Sequence, residues 1–280
     1  MGPRRRRSLK KLLLLVSAAA VAVGVLAVPA QAAPNPRVFV SIPDQLPGNV
    51  VSQGFEATQT DELGDQIRLA PGKRALKTVT VVMSSFACET GHWSDGTCQT
   101  TPGARFQEAV TFNLYQENEV TPDLPGTLIA SRTKTFNMPY RPSADPVQCP
   151  DSPNAWYSTR DDDCYNGKAF KIVFNFAQPN LVLPNELVYG IAYNTSTSGN
   201  TPDGVRPCQS TPEGCPDDSL NVGIEAGLPK RGTDVYPDGV FIDQAAGGDC
   251  ATDATVPDTF SLDACTWQGF NPMVRFVVKA

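Results

Sequence analysis

Eight cysteines, grouped as four local pairs, constrain this 280-residue chain more than any other feature of its sequence. Within successive pairs, 9, 14, 6 and 14 residues separate the two cysteines. An even number of cysteines in an exported chain predicts a disulfide framework, and the simplest pairing joins each cysteine to its neighbour. Each such bond would stabilise the fold by roughly 2 to 3 kcal/mol by restricting the unfolded chain. The eight are Cys88, Cys98, Cys149, Cys164, Cys208, Cys215, Cys250 and Cys265.

The N-terminus predicts export. A basic run is followed by an uncharged apolar stretch from Leu12 to Val28 and then by the small-residue triplet of residues 30–32. This order is typical of a secretory signal peptide over residues 1–32. A retained membrane anchor is the alternative, but the apolar stretch is short for a membrane span and the cleavage site favours removal. Arg6 and Arg7 are compatible with the general or the twin-arginine route, and the predicted localisation is secreted in either case.

Charge narrows the range of partners. Residues 1–32 contain six basic and no acidic residues, so 17 basic and 29 acidic side chains remain after cleavage and the net charge is −12. An acidic surface repels phosphate backbones and anionic lipids, so neither nucleic acid nor a membrane is an expected partner. Residues 33–48 contain several prolines and are predicted to form a loosely held arm. Residues 49–280 contain no linker-like tract and are expected to form one domain.

Alternating apolar and polar residues predict strands. Residues 76–86 (LKTVTVVMSSF) alternate and indicate a half-buried strand, and the same pattern recurs at 109–115, 168–176 and 273–279. By contrast, residues 187–193 (LVYGIAY) are apolar on both faces, as expected of a central strand covered on both sides. Shorter candidate strands are VFVSI, NVVSQGF, GDQIRLA, TLIASRTKTFNM, SLNVG and DGVFI.

The strands and the turns between them predict an all-β fold. Pro-Gly and Asp-Gly turns separate the strands, and no apolar face with a helical period persists for three turns after the signal peptide. About ten strands in one domain favour a single antiparallel β-sandwich with long disulfide-tied loops. A jelly roll or a related Greek key is the preferred topology, and a closed barrel is the alternative.

Several sequence strings point to the same fold through a resemblance. They are GFEATQTDELGDQIRLA, TVTVVMSSFAC, FNMPYRPSAD, YGIAYNTS and DSLNVG. With them the chain resembles uncharacterised secreted proteins of actinobacteria, whose single domain is a jelly-roll-like β-sandwich with paired cysteines. The resemblance spans nearly the whole mature chain. It implies the fold and the exported compartment, and it assigns no activity or catalytic residue.

All three tryptophans belong to the cysteine-tied loops. Trp93 lies inside the first pair, Trp156 inside the second, and Trp267 two residues after the last cysteine. A ring held rigidly at the end of a sandwich is a platform for the face of a sugar, so Trp93, Trp156, Tyr157 and Trp267 are predicted to bind a ligand, and Tyr165 would extend the patch. The alternative is that each indole packs over its neighbouring disulfide as a small local core.

Catalytic and metal-binding motifs are weak. His92, Ser94 and Asp95 are merely neighbours in one loop, whereas a serine triad converges from separate parts of a fold, and no GxSxG elbow occurs. The loop is therefore predicted to be a tied surface loop, and no catalytic residue is assigned. Zinc is disfavoured because no CxxC spacing occurs and the chain has one histidine.

Two acidic clusters leave calcium open without a supporting motif. Neither matches an EF-hand loop, so solvated surface charge is the preferred interpretation, the metal content stays open and no cofactor is predicted. The clusters are Glu56, Asp61, Glu62 and Asp65, and Asp161, Asp162 and Asp163.

Three functions are consistent with these features. The leading hypothesis is a secreted, non-catalytic protein that binds an extracellular glycan through its aromatic loops. A secreted glycoside hydrolase is the first alternative, because the two carboxylates that it needs leave no spacing signature in a sequence. An exported structural or adhesion protein with a protein partner is the second. The identity of the ligand and the oligomeric state are left open.

Overall fold

A computed structural model describes residue 2 and residues 36–176, 181–204, 214–245, 259–264 and 267–280. Apart from residue 2, the predicted signal peptide lies outside the described residues, and so do Cys208, Cys250 and Cys265. Over the described ranges the elements, in chain order, are β1 (Arg37–Val40), β2 (Ser52–Gly54), α1 (Phe55–Thr58), β3 (Thr60–Arg68), β4 (Leu76–Ser85), β5 (Arg105–Gln116), β6 (Leu128–Pro139), β7 (Trp156–Ser158), β8 (Asp163–Tyr165), β9 (Lys168–Asn175), β10 (Glu186–Ala192), β11 (Leu220–Ala226), β12 (Thr233–Asp234), β13 (Val240–Gln244), β14 (Ser261–Asp263), β15 (Phe270–Pro272) and β16 (Val274–Val278).

The strands form two antiparallel sheets and a small hairpin. In the first sheet the order is β1-β16-β4-β11-β15, with β2 paired to β11 and β9 paired to β4. In the second sheet the order is β14-β13-β3-β10-β5-β6, with β12 paired to β3. Strands β7 and β8 pair with each other. The prediction of an all-β, antiparallel fold is confirmed.

Aromatic side chains from both sheets meet in one hydrophobic core. The ring of Phe112 on β5 lies 5.5 Å from that of Phe174 on β9 and 5.9 Å from that of Phe276 on β16, between centroids. Tyr189 on β10 also contacts Phe276, at 5.9 Å. Because β5 and β10 belong to the second sheet and β9 and β16 to the first, these contacts join two packed layers, as in a β-sandwich.

The burial of the strands agrees with the sequence pattern in most places. Strands β5 and β16 alternate between buried and more exposed residues, and β10 is buried on both faces, as predicted. Strand β4 differs, because its outward-facing Val82 and Ser84 are both fully buried. Ile42 packs against Val82, and the Ser84 hydroxyl donates to Asn49 Oδ1 at 2.6 Å. The segment before β2 therefore covers part of the outer face of the first sheet.

The prediction of a loosely held arm at 33–48 is wrong for the part that forms β1. Residues 37–40 form β1, which pairs with β16. Phe39 is 1 % exposed, and its ring meets that of Phe276 edge-on at 6.2 Å. The apolar Val-Phe-Val sequence gives this strand enough buried surface to join the core, and the prolines lie on either side of it.

Two of the four predicted disulfides lie within the described residues. Cys88 bonds to Cys98 and Cys149 to Cys164, with Cα–Cα distances of 5.4 and 5.9 Å. Cys215 is also disulfide-bonded. These bonds indicate an oxidising environment for the protein. Within the described part of the chain, no helix is long and apolar enough to cross a membrane.

Candidate functional site

Both described disulfide loops lie at one end of the sandwich. The first loop leaves β4 after Ser85 and the second enters β9 at Lys168, and these two residues are paired across the first sheet. The first loop enters β5 at Arg105 and the second leaves β6 after Pro139, and these are paired across the second sheet. Loop residues 86–104 and 140–167 therefore form one surface, here called the disulfide end.

A buried arginine joins the two loops. Arg141 is 0 % exposed, and its guanidinium donates to the carbonyl oxygens of Asn154 at 2.7 Å, Pro142 at 3.2 Å and Trp93 at 3.5 Å. Burial lowers the pKa of Arg141 to about 10, so the side chain stays charged at neutral pH. Asn154 Nδ2 also donates to the carbonyl of Ser94 at 2.6 Å. The two loops are thus held in a fixed relation.

An open groove of about 500 Å³ runs between the two sheets at the disulfide end, and a second depression of about 320 Å³ adjoins it. Both are lined by Pro142, Trp156, Tyr157 and Lys168, so they form one continuous surface, here called the end groove. A volume of this order is in the range of small-molecule sites. Further lining residues are Arg105, Tyr140, Ser143 and Asp145.

The aromatic rings of the end groove are held before any ligand arrives. Trp156 is 9 % exposed, and its indole N–H donates to the carbonyl of Gly167 at 2.7 Å. The half-buried Tyr157 donates its hydroxyl to Asp162 Oδ1 at 2.5 Å, and this bond raises the pKa of the phenol. Tyr165 packs against Trp156 with 5.6 Å between ring centroids. Ordering these rings costs little on binding because they are already fixed.

The other two tryptophans lie outside this groove. Trp93 is 36 % exposed at the disulfide end and contacts Phe86 edge-on at 5.1 Å, but it does not line the end groove. Trp267 is 5 % exposed, belongs to the hydrophobic core and lines neither part of the end groove. The predicted ligand-binding residues therefore separate: Trp156 and Tyr157 lie together, Trp93 lies near them, and Trp267 is removed from the site by burial.

Two cations at the groove had no signal in the sequence. Arg105 and Lys168 are the first residues of β5 and β9, directly after the disulfide loops. Burial and the nearby charge of Arg105 lower the pKa of Lys168. Arg105 donates to the carbonyl of Asn137 at 3.0 Å, whereas the described ranges give Lys168 no hydrogen bond or ion pair through its side chain. Single basic residues at strand starts match no motif, so only the structure brings them together.

The loop around His92 is a structural turn. Asp95 Oδ1 accepts from the backbone N–H of Thr97 at 2.9 Å and from its hydroxyl at 2.6 Å, and these bonds lower the pKa of Asp95. The His92 N–H donates to the Thr97 hydroxyl at 2.9 Å. Among the described residues no hydrogen bond joins the side chains of His92 and Ser94, so the geometry of a catalytic triad is not formed here.

The acidic clusters are divided among local contacts. Glu56 accepts hydrogen bonds from the hydroxyls of Thr195 and Thr197, at 2.6 and 2.7 Å, and so ties α1 to the loop after β10. Asp161 pairs with Arg160 at 2.8 Å, and chiefly for that reason its pKa falls to about 2. In the ranges that the structure describes, no three His, Cys, Asp or Glu residues are arranged to hold a metal ion.

A pair of carboxylates, Glu62 and Asp243, lies on the outer face of the second sheet. Glu62 on β3 stands directly opposite Asp243 on β13. Glu62 Oε1 accepts from Asn113 Nδ2 at 2.9 Å and from the Tyr115 hydroxyl at 3.1 Å. Burial, with a smaller contribution from Asp243, raises the pKa of Glu62 to about 7. A Cβ at Gly190 would lie 1.7 Å from Glu62 Oε1, so glycine at this position leaves room for the Glu62 carboxyl group.

The fold and the end groove define an all-β sandwich protein with a preformed, disulfide-bounded cleft. No family model, no curated protein and no solved structure matches this chain.

Proposed function

We propose that this protein is an exported, non-catalytic carbohydrate-binding protein that holds an extracellular glycan in the end groove. The observation that carries the proposal is the groove itself, in which Tyr140, Trp156 and Tyr157 combine with hydroxyl and charged groups between two disulfide-tied loops. Aromatic rings with a few fixed polar groups suit a sugar, which has apolar C–H faces and polar hydroxyls.

Two further features support export and binding. The predicted signal peptide and the disulfides both fit an extracellular location. The rings of Trp156 and Tyr157 are fixed by hydrogen bonds to Gly167 and Asp162, so a glycan would meet a rigid surface. Rigid aromatic surfaces bind with little loss of conformational entropy.

Binding of the mature protein to a panel of oligosaccharides, measured by calorimetry, tests the proposal. Tyr157→Ala should weaken binding roughly tenfold or more, the usual cost of truncating a central aromatic contact. Trp93→Ala is the matched control, because this ring lies at the same end but outside the groove, and it should change binding little. If the wild-type protein binds no glycan, or if the two variants weaken binding equally, the proposal fails.

Glycoside hydrolysis is a second candidate, favoured by the Glu62–Asp243 pair. Directly opposite residues on antiparallel strands have Cβ atoms about 5 Å apart, close to the carboxylate separation of retaining glycosidases. A carboxyl group with a pKa of about 7 is also suited to act as an acid. If the same glycans release new reducing ends, and Glu62→Gln stops the release while Glu186→Gln does not, the protein is a hydrolase.

A further inference from the structure

We infer that the end groove selects acidic glycans, and that Arg105 and Lys168 bind the carboxylate of a uronic acid. This inference rests on the proposed function, because it names the class of glycan that the same groove takes. It follows from the charge of the groove, which differs in sign from the charge of the chain.

The groove gathers positive charge in an acidic protein. The chain carries 29 acidic and 23 basic residues, yet the residues that line the larger part of the groove include Arg105 and Lys168 against one carboxylate, Asp145. Asp145 Oδ1 already accepts the N–H of Gln148, at 3.1 Å. Asp145 forms no ion pair with either cation within the described residues. The lining therefore has an excess of about one positive charge.

The two cations also repel each other. Lys168 is half-buried, and its pKa is lowered by burial and by the charge of Arg105. Two like charges close together in a partly buried site raise the free energy of the empty site, and an anion between them removes that cost. Lys168 borders both parts of the groove, so an anion held there lies beside Trp156 and Tyr157.

A sugar carboxylate matches this arrangement in charge and shape. One carboxylate neutralises the single excess charge of the lining. Arginine binds the planar carboxylate group through paired N–H donors, and lysine adds a charged hydrogen bond. The ring of Tyr157 then remains available for the apolar face of the same sugar.

Calorimetry with oligogalacturonate and with its neutral methyl ester tests the inference. We expect the acid to bind at least about tenfold more tightly than the ester, because charge-assisted hydrogen bonds are stronger than neutral ones. Lys168→Gln should remove most of this difference, because it should weaken binding of the acid at least about tenfold more than binding of the ester. Binding of the acid should also weaken as salt is added.

Lys171→Gln is the matched control. Lys171 lies on the same strand but on its opposite face. Lys168 is on the same side of the strand as the buried Ile172 and Phe174, whereas Lys171 lies an odd number of positions from all three. Its loss should leave both affinities unchanged. If acid and ester bind equally and Lys168→Gln affects neither, the inference fails while the proposed function stands. If neither compound nor any other glycan binds, both fail.

Discussion

Arg141 is the residue on which the disulfide end most depends. Its guanidinium is fully buried and satisfies carbonyl groups in both loops, and among the residues that the structure describes it pairs with no carboxylate. Arg141→Met keeps much of the volume but leaves those carbonyls without donors. We expect the free energy of unfolding to fall by about 2 to 3 kcal/mol, measured by urea denaturation. Arg132→Met, on the exposed part of β6, is the control and should change it by less than about 0.5 kcal/mol. Equal stability of the two variants would contradict this role.

At the scale of residues, the sequence indicated which rings belong to the loops but not which rings are open. Trp156 lies between two paired cysteines and Trp267 two residues after one, yet of these two only Trp156 lines the end groove. Trp267 is instead a member of the hydrophobic core, which contains residues from both sheets, and a local sequence pattern does not predict that placement. Arg105 and Lys168 could not be linked from the sequence either, because they lie 63 positions apart on strands of different sheets and come together only at the end groove.

At the scale of elements, the Cys149–Cys164 bond holds the β7–β8 hairpin that presents Trp156 and Tyr157. Replacing both cysteines by alanine should lower the free energy of unfolding by about 3 kcal/mol, as expected for a loop of this length. It should also weaken glycan binding, because the rings lose their fixed positions. Replacing Cys88 and Cys98 is the matched comparison, with a similar loss of stability and a smaller loss of affinity. Urea denaturation and calorimetry measure the two effects, and unchanged binding in the first variant would contradict the link.

The strands themselves were largely predictable from period-two patterns, whereas what covers them was not. The inward residues of β5 and β16 follow the alternation in the sequence. The outward residues of β4 are buried because residues 41–50 pack over them, and a local pattern contains no information about such a cover. The two short-range disulfides were predictable because neighbouring cysteines have the shortest loops to close.

At the scale of the whole molecule, the fold buries carboxyl groups that prefer to be protonated. Burial raises the pKa of Glu62 to about 7, of Asp217 to about 7, of Asp234 to about 6 and of Glu108 to about 8, and it raises that of Asp65 well above its usual value. The all-β sandwich was predictable from the sequence, but these groups were not, because their desolvation arises only when both sheets are assembled. Because all five pKa values are raised, the free energy of unfolding should depend on pH through these groups in one direction.

Stability should therefore be highest in mild acid. Between the pKa values of the unfolded chain, near 4.5 for glutamate, and the raised values near 7 to 8, the folded protein keeps protons that the unfolded chain releases. The stabilisation by these groups is complete below pH 4.5 and is lost as the pH rises to 8. Carboxylates with a lowered pKa, such as Asp161 at about 2, have the opposite effect on stability: their contribution is lost as the pH falls below about 4. The free energy of unfolding should thus have its maximum near pH 4 to 4.5.

Glu62→Gln isolates the contribution of one of these buried carboxyl groups with a neutral isostere. The amide keeps an acceptor for Asn113 and Tyr115 but has no charge to bury. For a shift from 4.5 to about 7, the variant should gain up to about 3 kcal/mol relative to wild type at pH 8, and little at pH 4.5. Urea denaturation across this range measures the difference, and Glu186→Gln, which removes an ion pair with Arg68 on the same face, is the control. A wild-type protein that becomes steadily more stable from pH 5 to 8 would contradict this expectation, since the buried carboxyl groups would then have to fold in their charged form.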